Sequence, residues 1–450
     1  MNKIMPIIGV LLLAAVVVMT LGFVPAGDPA PQQLSQVVST VAPAMSGEEG
    51  FNTIAKQAVV IDASTGTVLL DKDANTPMPT ASMSKVMTLY MVFDAIKQGR
   101  ISLTDKFTVS ERAWKMGGSK MFIQVGTQVS VEDLIRGVAI QSGNDAAVAL
   151  AEGVGGTEED FARVMTARAK EIGMTNSNFA NASGWPDPNH HSTAHDLAVL
   201  AYRVVTEFPE FYHYFGEREF SYNNITQQNR DPLLGRLPGA DGMKTGHTEE
   251  AGFGLIGSAQ RDGRRVIMVI NGLDSMKSRS DEGVRIMEWA FRNFELKTIF
   301  AQGQQAARVP VWLGDRADVM AVAEKDVKAL LPRIGGGQVG VNVIIDAPVH
   351  APVKKGDNLG VVQVTMPDGK QQDVNLLAGE DVNRVGFFGR IGARLSNLVG
   401  GGPDVAADEV VADEAPVATE APAAAAPVVA APAPEAEGVA PETEETAPVE

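Results

Sequence analysis

The chain contains no cysteine, and after Arg394 it contains no lysine or arginine. The first absence excludes disulfide bridges, thiolate metal sites and a cysteine nucleophile. It leaves the compartment open, because an exported protein with a sufficient core needs no bridges. The second absence makes the charge uneven. There are 38 Lys and Arg against 55 Asp and Glu, a net charge of −17, and the final fifty residues hold twelve of the acids. Removing those twelve leaves −5 for the first 400 residues, a mildly acidic body. Such a balance argues against general nucleic-acid binding, which needs a basic face to neutralise phosphates. With 450 residues, 45% of them apolar, the chain has material for two or three domains with real cores.

The N-terminus reads as an export signal over residues 1–26. Lys3 precedes an apolar run at 4–24, and Val24-Pro25-Ala26 is a tolerable small-residue cleavage site. An uncleaved anchor is the alternative, since the run is nearly long enough to span a bilayer. Residues 27–50 contain Pro29, Pro31 and Pro43 without clear periodicity and read as a linker.

Residues 51–297 read as the first globular domain. Apolar runs at 58–62 and 67–70 flank Ser64-Thr65-Gly66, a strand–turn–strand pattern. Met83, Val86, Met87, Tyr90 and Met91 recur at helical spacing within 82–96. Two further helical stretches within 131–152 are broken near Gln141-Ser142-Gly143, and residues 280–294 are again helical. Two apolar runs within 252–270 meet at Arg261-Asp262-Gly263-Arg264, a hairpin signal. Strands at both ends with helices between them predict an α/β or α+β domain whose sheet is assembled from distant segments.

Residues 298–382 change character. Short β-rich runs such as Val309-Pro310-Val311-Trp312 and Gly360-Val361-Val362-Gln363-Val364 predict a small all-β domain. Residues 383–400 then place Phe387, Phe388, Ile391, Leu395, Leu398 and Val399 on one helical stripe, with Arg384, Arg390 and Arg394 as the only charges. Such a helix suits an anionic membrane surface or a face of its own domain. The Ala/Pro/Glu-rich tail, 401–450, has the composition of a disordered segment.

Three short motifs carry chemistry. Ser82-Met83-Ser84-Lys85 is the only S-x-x-K in the chain, and one helical turn puts its hydroxyl and amine on one face. A serine becomes a nucleophile when a base takes its proton, and a lysine serves as that base if burial or a neighbouring cation lowers its pKa. Ser142-Gly143-Asn144 opens a helical stretch, where a hydroxyl and an amide could relay a proton and hold a substrate amide; alone, Ser142 is simply a good N-cap. A second S-x-N, Ser221-Tyr222-Asn223, has no helical pattern after it. Lys244-Thr245-Gly246 supplies a cation, a hydroxyl and close backbone approach, and chance would give only about 0.1 copies.

In this order, S-x-x-K, S-x-N and K-T-G are the signature of penicillin-recognising serine acyl-enzymes. Residues 82–88 and 141–147, Gln227-Gln228-Asn229-Arg230 with Leu233-Leu234, and residues 241–248 extend the match. Over about 51–399 the chain resembles the D-alanyl-D-alanine carboxypeptidases, the low-molecular-mass penicillin-binding proteins. The resemblance implies a serine β-lactamase-like catalytic domain with an antiparallel sheet and helices, followed by a small all-β domain. It implies Ser82 as nucleophile and Lys85 as its general base. Ser142 would relay a proton to the leaving amine, with Lys244 lowering the local proton affinity. Asn144 would hold the substrate amide, Thr245 and Arg230 would meet the terminal carboxylate, and the N–H groups of Ser82 and His247 would form the oxyanion hole.

The implied substrate is a peptidoglycan pentapeptide, with β-lactams as covalent inhibitors, no cofactor and no metal. The implied location is the outer or periplasmic face of the cytoplasmic membrane. His190, His191 and His195 are expected in structural or helix-capping roles, since zinc needs three or four converging ligands. A DD-endopeptidase would use the same site. A β-lactamase fits less well, because no class A general-base Glu motif lies between Ser142 and Lys244. A silent wall-binding scaffold would be expected to have decayed motifs, and all three are intact.

Overall fold

The computed structural model describes residues 51–333, 340–365 and 371–386 and the strand Gln32–Ser39. The expected export signal, the acidic tail and all of the expected membrane helix beyond Gly386 lie outside the described residues.

The first domain is built on a five-stranded antiparallel sheet in the order β3-β2-β6-β5-β4. Its strands are β2 (Gln57–Asp62), β3 (Val68–Lys72), β4 (Ala240–Thr248), β5 (Gly252–Arg261) and β6 (Arg264–Leu273), with β1 reserved for Gln32–Ser39. The two halves of the sheet are nearly 170 residues apart in sequence and meet where β2 pairs β6, Val59 opposite Val269. Both faces are buried. Val59, Ile256, Ile267 and Val269 enter the larger core, while Ala58, Val60, Leu255, Met268 and Ile270 enter the smaller one. Successive side chains point to opposite faces of a strand, so near-continuous apolar runs mark a sheet covered on both sides.

One face is covered by the C-terminal helix Met276–Asn293, through Ile286, Met287 and Ala290. The other is covered by helices α1 (Lys85–Lys97), α2 (Val131–Ala139), α3 (Asn144–Gly155), α4 (Glu158–Glu171) and α5 (Ala194–Glu207); Met276–Asn293 is α6. Helix α1 is buried nearly all round, from Lys85 through Phe93, as expected of a central helix rather than a surface one. Helices α2, α4 and α5 begin with Ser130, Thr157 and Thr193, whose side chains accept the backbone N–H three residues on.

The second domain is all β, with a seven-stranded sheet and a separate two-stranded pair. Its first strand, β7 (Phe294–Phe300), follows directly on α6 and pairs β10 (Val327–Pro332), with β8 (Gln305–Trp312) and β9 (Asp318–Ala323) between them. The helix ends at Asn293 and extended backbone begins at Phe294, four residues before the change of character expected at 298. Residues 27–50 also hold regular structure. The strand β1 within this expected linker pairs antiparallel with β11 (Gly340–Ala347), Gln32 opposite Ala347. Eight residues without strict alternation give little local signal, and the partner strand is what selects the extended form.

Arg264 ties the domains' junction to the sheet. Its Nε donates to Asp62 Oδ2 at 2.7 Å, and its Nη1 donates to the carbonyls of Ala290 and Phe294.

Candidate active site

Helical spacing placed Ser82 on an α-helix with Lys85. The structure instead puts Ser82 in a 3₁₀ turn, Ala81–Ser84, and starts α1 at Lys85. Side chains three apart eclipse in a 3₁₀ turn, which brings the pair together more directly than an α-turn. The turn is wedged between two backbones. At Gly246 on β4, a Cβ would stand 2.7 Å from the Thr80 carbonyl oxygen; at Gly184, which has φ +76°, it would overlap the Ala81 carbonyl at 1.8 Å. The glycine of the K-T-G motif is therefore a packing requirement of the nucleophile's own turn.

Lys85 is fully buried, and its Nζ has three neighbours: Ser82 Oγ at 2.9 Å, Asn144 Oδ1 at 2.7 Å and the Ser183 carbonyl at 2.6 Å. The two carbonyls only accept, so they take two N–H groups. The third position faces Ser82: an ammonium donates there, whereas a neutral amine offers its lone pair to the hydroxyl.

Asn144 donates its Nδ2 to the Gly117 carbonyl at 2.8 Å. The Oδ1 and one of the two N–H groups of this amide are thus engaged inside the protein, where they orient Lys85. At the first position of α3 the side chain points back under the 117–119 loop.

Ser142 is buried with φ +60° and reaches the same cleft as Ser82. Among the described residues, no hydrogen bond joins it to Lys85 or Lys244. The cleft, about 390 Å³, is also lined by Thr245, His247, Arg230 and Arg279. Arg230 donates to Ser119 Oγ, and Arg279 donates to the Gly246 carbonyl at 3.4 Å. Lys244 lies behind the wall, its Nζ 3.2 Å from the Thr245 carbonyl. His247 is exposed and stacks on Phe253 at 3.9 Å.

A family model described as D-alanyl-D-alanine carboxypeptidase matches residues 43–275, and one described as the C-terminal domain of penicillin-binding protein 5 matches 294–384. The chain belongs to the D-alanyl-D-alanine carboxypeptidase family. It is 37% identical over 344 residues to the D-alanyl-D-alanine carboxypeptidase DacA of Haemophilus influenzae, covering 75% of this chain and 87% of that one. The fold is similar to that of penicillin-binding protein 5 from Haemophilus influenzae, with a TM-score of 0.67, 36% identity, and cover of 75% of this chain and all of that one. Penicillin-binding protein D2 from Listeria monocytogenes, solved in an ampicillin-bound form, is similar with a TM-score of 0.50 and 29% identity, over 54% of this chain and all of that one.

The electrostatics of this family member's site follow from burial. Lys85 is held well below the usual lysine range, first by burial and then by the cations Lys244 and Arg230, with Asp145 acting oppositely. Lys244 is lowered to about 7 by burial, Arg230 and Arg279, with Asp231 opposing. Asp231 is itself raised to about 6 by burial. The site is cationic, opposite in sign to the chain as a whole.

Several contributors had no motif to reveal them. The Ser183 carbonyl is a main-chain group, which side-chain patterns do not report. Arg279 sits on α6, far from any motif, where an Arg on a helix has no distinguishing spacing. Asp145 carried a usable signal, being a carboxylate at the start of an otherwise apolar helix. It is fully buried and accepts the N–H groups of Met121 and Phe122 at 2.8 and 2.9 Å, fixing the loop that packs beside Asn144.

His190, His191 and His195 do not converge, and no three acid or histidine side chains among the described residues could hold a metal. His190 is buried; its Nδ1 accepts from Ala180 N at 3.2 Å and its Nε2 lies 2.7 Å from Ser84 Oγ, which is 2.5 Å from Thr80 Oγ1. The ring therefore braces the nucleophile's turn against the segment that supplies the Ser183 carbonyl.

Proposed function

We propose that this protein removes the terminal D-alanine from peptidoglycan stem peptides through an acyl-enzyme on Ser82. The observation that carries the reading is the buried Lys85 amine, held by two carbonyl acceptors with its third position 2.9 Å from Ser82 Oγ. As a neutral amine it takes the hydroxyl proton as Oγ attacks the carbonyl of the penultimate D-alanine. The N–H groups of Ser82 and His247 stabilise the oxyanion. Arg230, Arg279 and Thr245 bind the terminal carboxylate, the guanidinium forks being suited to it. The proton then passes through Ser142 to the departing amine, the terminal D-alanine leaves, and water, deprotonated by Lys85, hydrolyses the ester. A β-lactam enters as a mimic of the D-alanine pair and acylates the same serine.

Incubation with a fluorescent penicillin, together with release of D-alanine from a pentapeptide, tests this. The wild type labels and releases D-alanine, and Ser82→Ala does neither. A labelled Ser82→Ala variant overturns the nucleophile; a wild type inert in both assays overturns the activity.

The N-terminal apolar run supports export, and residues 384–399 support attachment to the outer or periplasmic membrane surface. No helix among the described residues is long and apolar enough to cross a membrane. Deleting 384–399 releases the signal-processed protein from membranes if that stripe is the anchor; continued retention assigns anchoring to the N-terminal segment.

A further inference from the structure

Three charged side chains lie buried together at the wall of the cleft. Asp231 is 5% exposed, Lys244 2% and Arg279 7%. Burial raises the Asp231 carboxyl to about 6, against the Leu233 N–H, Lys244 and Arg279, while the acid Asp241 adds to the rise. Burial, then Arg230 and Arg279, lower Lys244 to about 7, and Asp231 is the acid that opposes them. Asp241 is itself held by Arg265 at 2.7 Å, which leaves Asp231 as the counter-charge within the cluster.

Hydrogen bonding does not account for the carboxylate. Asp231 Oδ1 accepts the Leu233 N–H at 2.9 Å, while Oδ2 is buried without a hydrogen-bond partner among the described residues. Arg279 Nε is likewise unpartnered there, and Lys244 Nζ reaches only the Thr245 carbonyl, at 3.2 Å. The turn at Asp231 does not need an acid. Asn229 Oδ1 accepts the Asp231 N–H at 2.9 Å in the same way, so an amide oxygen serves such a turn equally well. What an asparagine at 231 would lack is the charge. The position of that charge is fixed from both sides. Asn229 Nδ2 donates to the Phe215 and Glu217 carbonyls at 3.0 and 2.9 Å, and a Cβ on Gly257 of β5 would stand 2.8 Å from Leu233 Cδ1. Packing on either side of Asp231 therefore holds an unpaired carboxylate near the K-T-G lysine.

On the carboxypeptidase reading, on which this inference rests, Lys244 works as a cation. Its charge adds to burial in lowering the proton affinity of Lys85, and it lies beside the Ser142 relay on that reading. Burial and two arginines work against that charge. We infer that Asp231 is a positioning residue that keeps Lys244 cationic at neutral pH and so sets the alkaline limit of D-alanine release. It touches no reacting atom and acts through Lys244. Acid and amine titrate as a pair: as pH rises Asp231 ionises first, and the charge it gains delays the loss of the proton from Lys244.

The test is the pH profile of kcat/KM for D-alanine release from a pentapeptide ending in D-alanyl-D-alanine, for the wild type and Asp231→Asn. The Asn keeps an acceptor for the Leu233 N–H, and loss of a neighbouring opposite charge shifts a pKa by about one to three units. The alkaline limb of the variant should therefore lie at least about one unit below that of the wild type. A one-unit shift lowers kcat/KM about tenfold on that limb, while the two proteins agree to within about twofold near pH 5.5. A merely structural role would lower kcat/KM by one factor at every pH. A uniform loss, or an unmoved limb, overturns the inference and leaves the activity standing. No release by the wild type at any pH overturns the activity and the inference together. If Asp231→Asn does not fold, the 13C resonance of the Asp231 carboxyl reads the pair in the wild type and in Lys244→Gln. Its midpoint, about 6 in the wild type, should rise by at least about one unit when the cation is removed. A wild-type midpoint near the ordinary 3.8, or one that Lys244→Gln leaves in place, overturns the inference.

Discussion

His190 should make this protein sensitive to acid in a way that one substitution can isolate. The ring is 6% exposed, and burial, opposed by Asp187 and assisted by His191 and Lys85, lowers its pKa from 6.5 to about 4. In the unfolded chain it protonates near 6.5. The unfolded state therefore binds more protons between those values, so stability is fully present above pH 6.5 and is lost as pH falls through about 4. The loss is about 3 kcal/mol once both states are protonated, and about 2 kcal/mol has gone by pH 5. Asp231 works against this. Its pKa is raised from 3.8 to about 6 with Oδ2 unpartnered, so protonating it on acidification stabilises the fold by a comparable amount. The wild-type curve alone mixes the two. His190→Gln separates them, because Gln offers a carbonyl to Ala180 N and an N–H to Ser84 Oγ but has no titration. Urea unfolding of both proteins should show the wild type's advantage over the variant shrinking by about 2 kcal/mol between pH 7.5 and pH 5. An advantage constant to within about 0.5 kcal/mol over that range would refute the reasoning.

Three further outcomes follow from the same geometry. Asn144→Asp puts a carboxylate where Oδ1 now stands 2.7 Å from Lys85 Nζ, which raises the amine's pKa; the acid limb of the pH–acylation profile should move up by at least about one unit, and an unmoved limb removes Lys85 as the base. Arg279→Gln removes a cation that lowers Lys244, so the alkaline limb of kcat/KM should shift above about 7 while KM for the pentapeptide rises. Arg264→Ala strands the buried Asp62 carboxylate, now 2.7 Å from Nε, and should cost about 3–5 kcal/mol in denaturant unfolding with the fluorescent-penicillin reaction as a check on folding.

Much of the site was legible because its reactive groups sit in short strings. Ser82 and Lys85 are three residues apart, Ser142 and Asn144 two, and Lys244 to Gly246 contiguous, so order and spacing are visible without a fold. Less legible was what each does to the other. The string Ser142-Gly143-Asn144 contains no sign that the Asn144 amide faces Lys85 from 59 positions away. The Ser183 carbonyl, 98 positions from Lys85, left no side-chain trace at all. Residues 82–84 read as α-helix because their apolar period continues that of α1; the tighter turn is imposed by close backbones at Gly184 and Gly246. At the fold level, both-face burial of β2, β5 and β6 shows as continuous apolar runs, whereas β1 is extended only because β11 pairs with it.

The sequence by itself determined the inventory: a serine nucleophile with a lysine three residues on, two more motif segments in order, and a net negative charge residing mostly in the tail. These depend on residue identity and spacing along one stretch of chain. The tertiary structure decided the lowered proton affinity of that lysine, the neighbours it keeps, and the arginines that line the cleft beside Ser82. Those depend on burial and on distances between segments that folding alone brings together, since an amine's affinity for a proton is set by the charges and carbonyls around it in space.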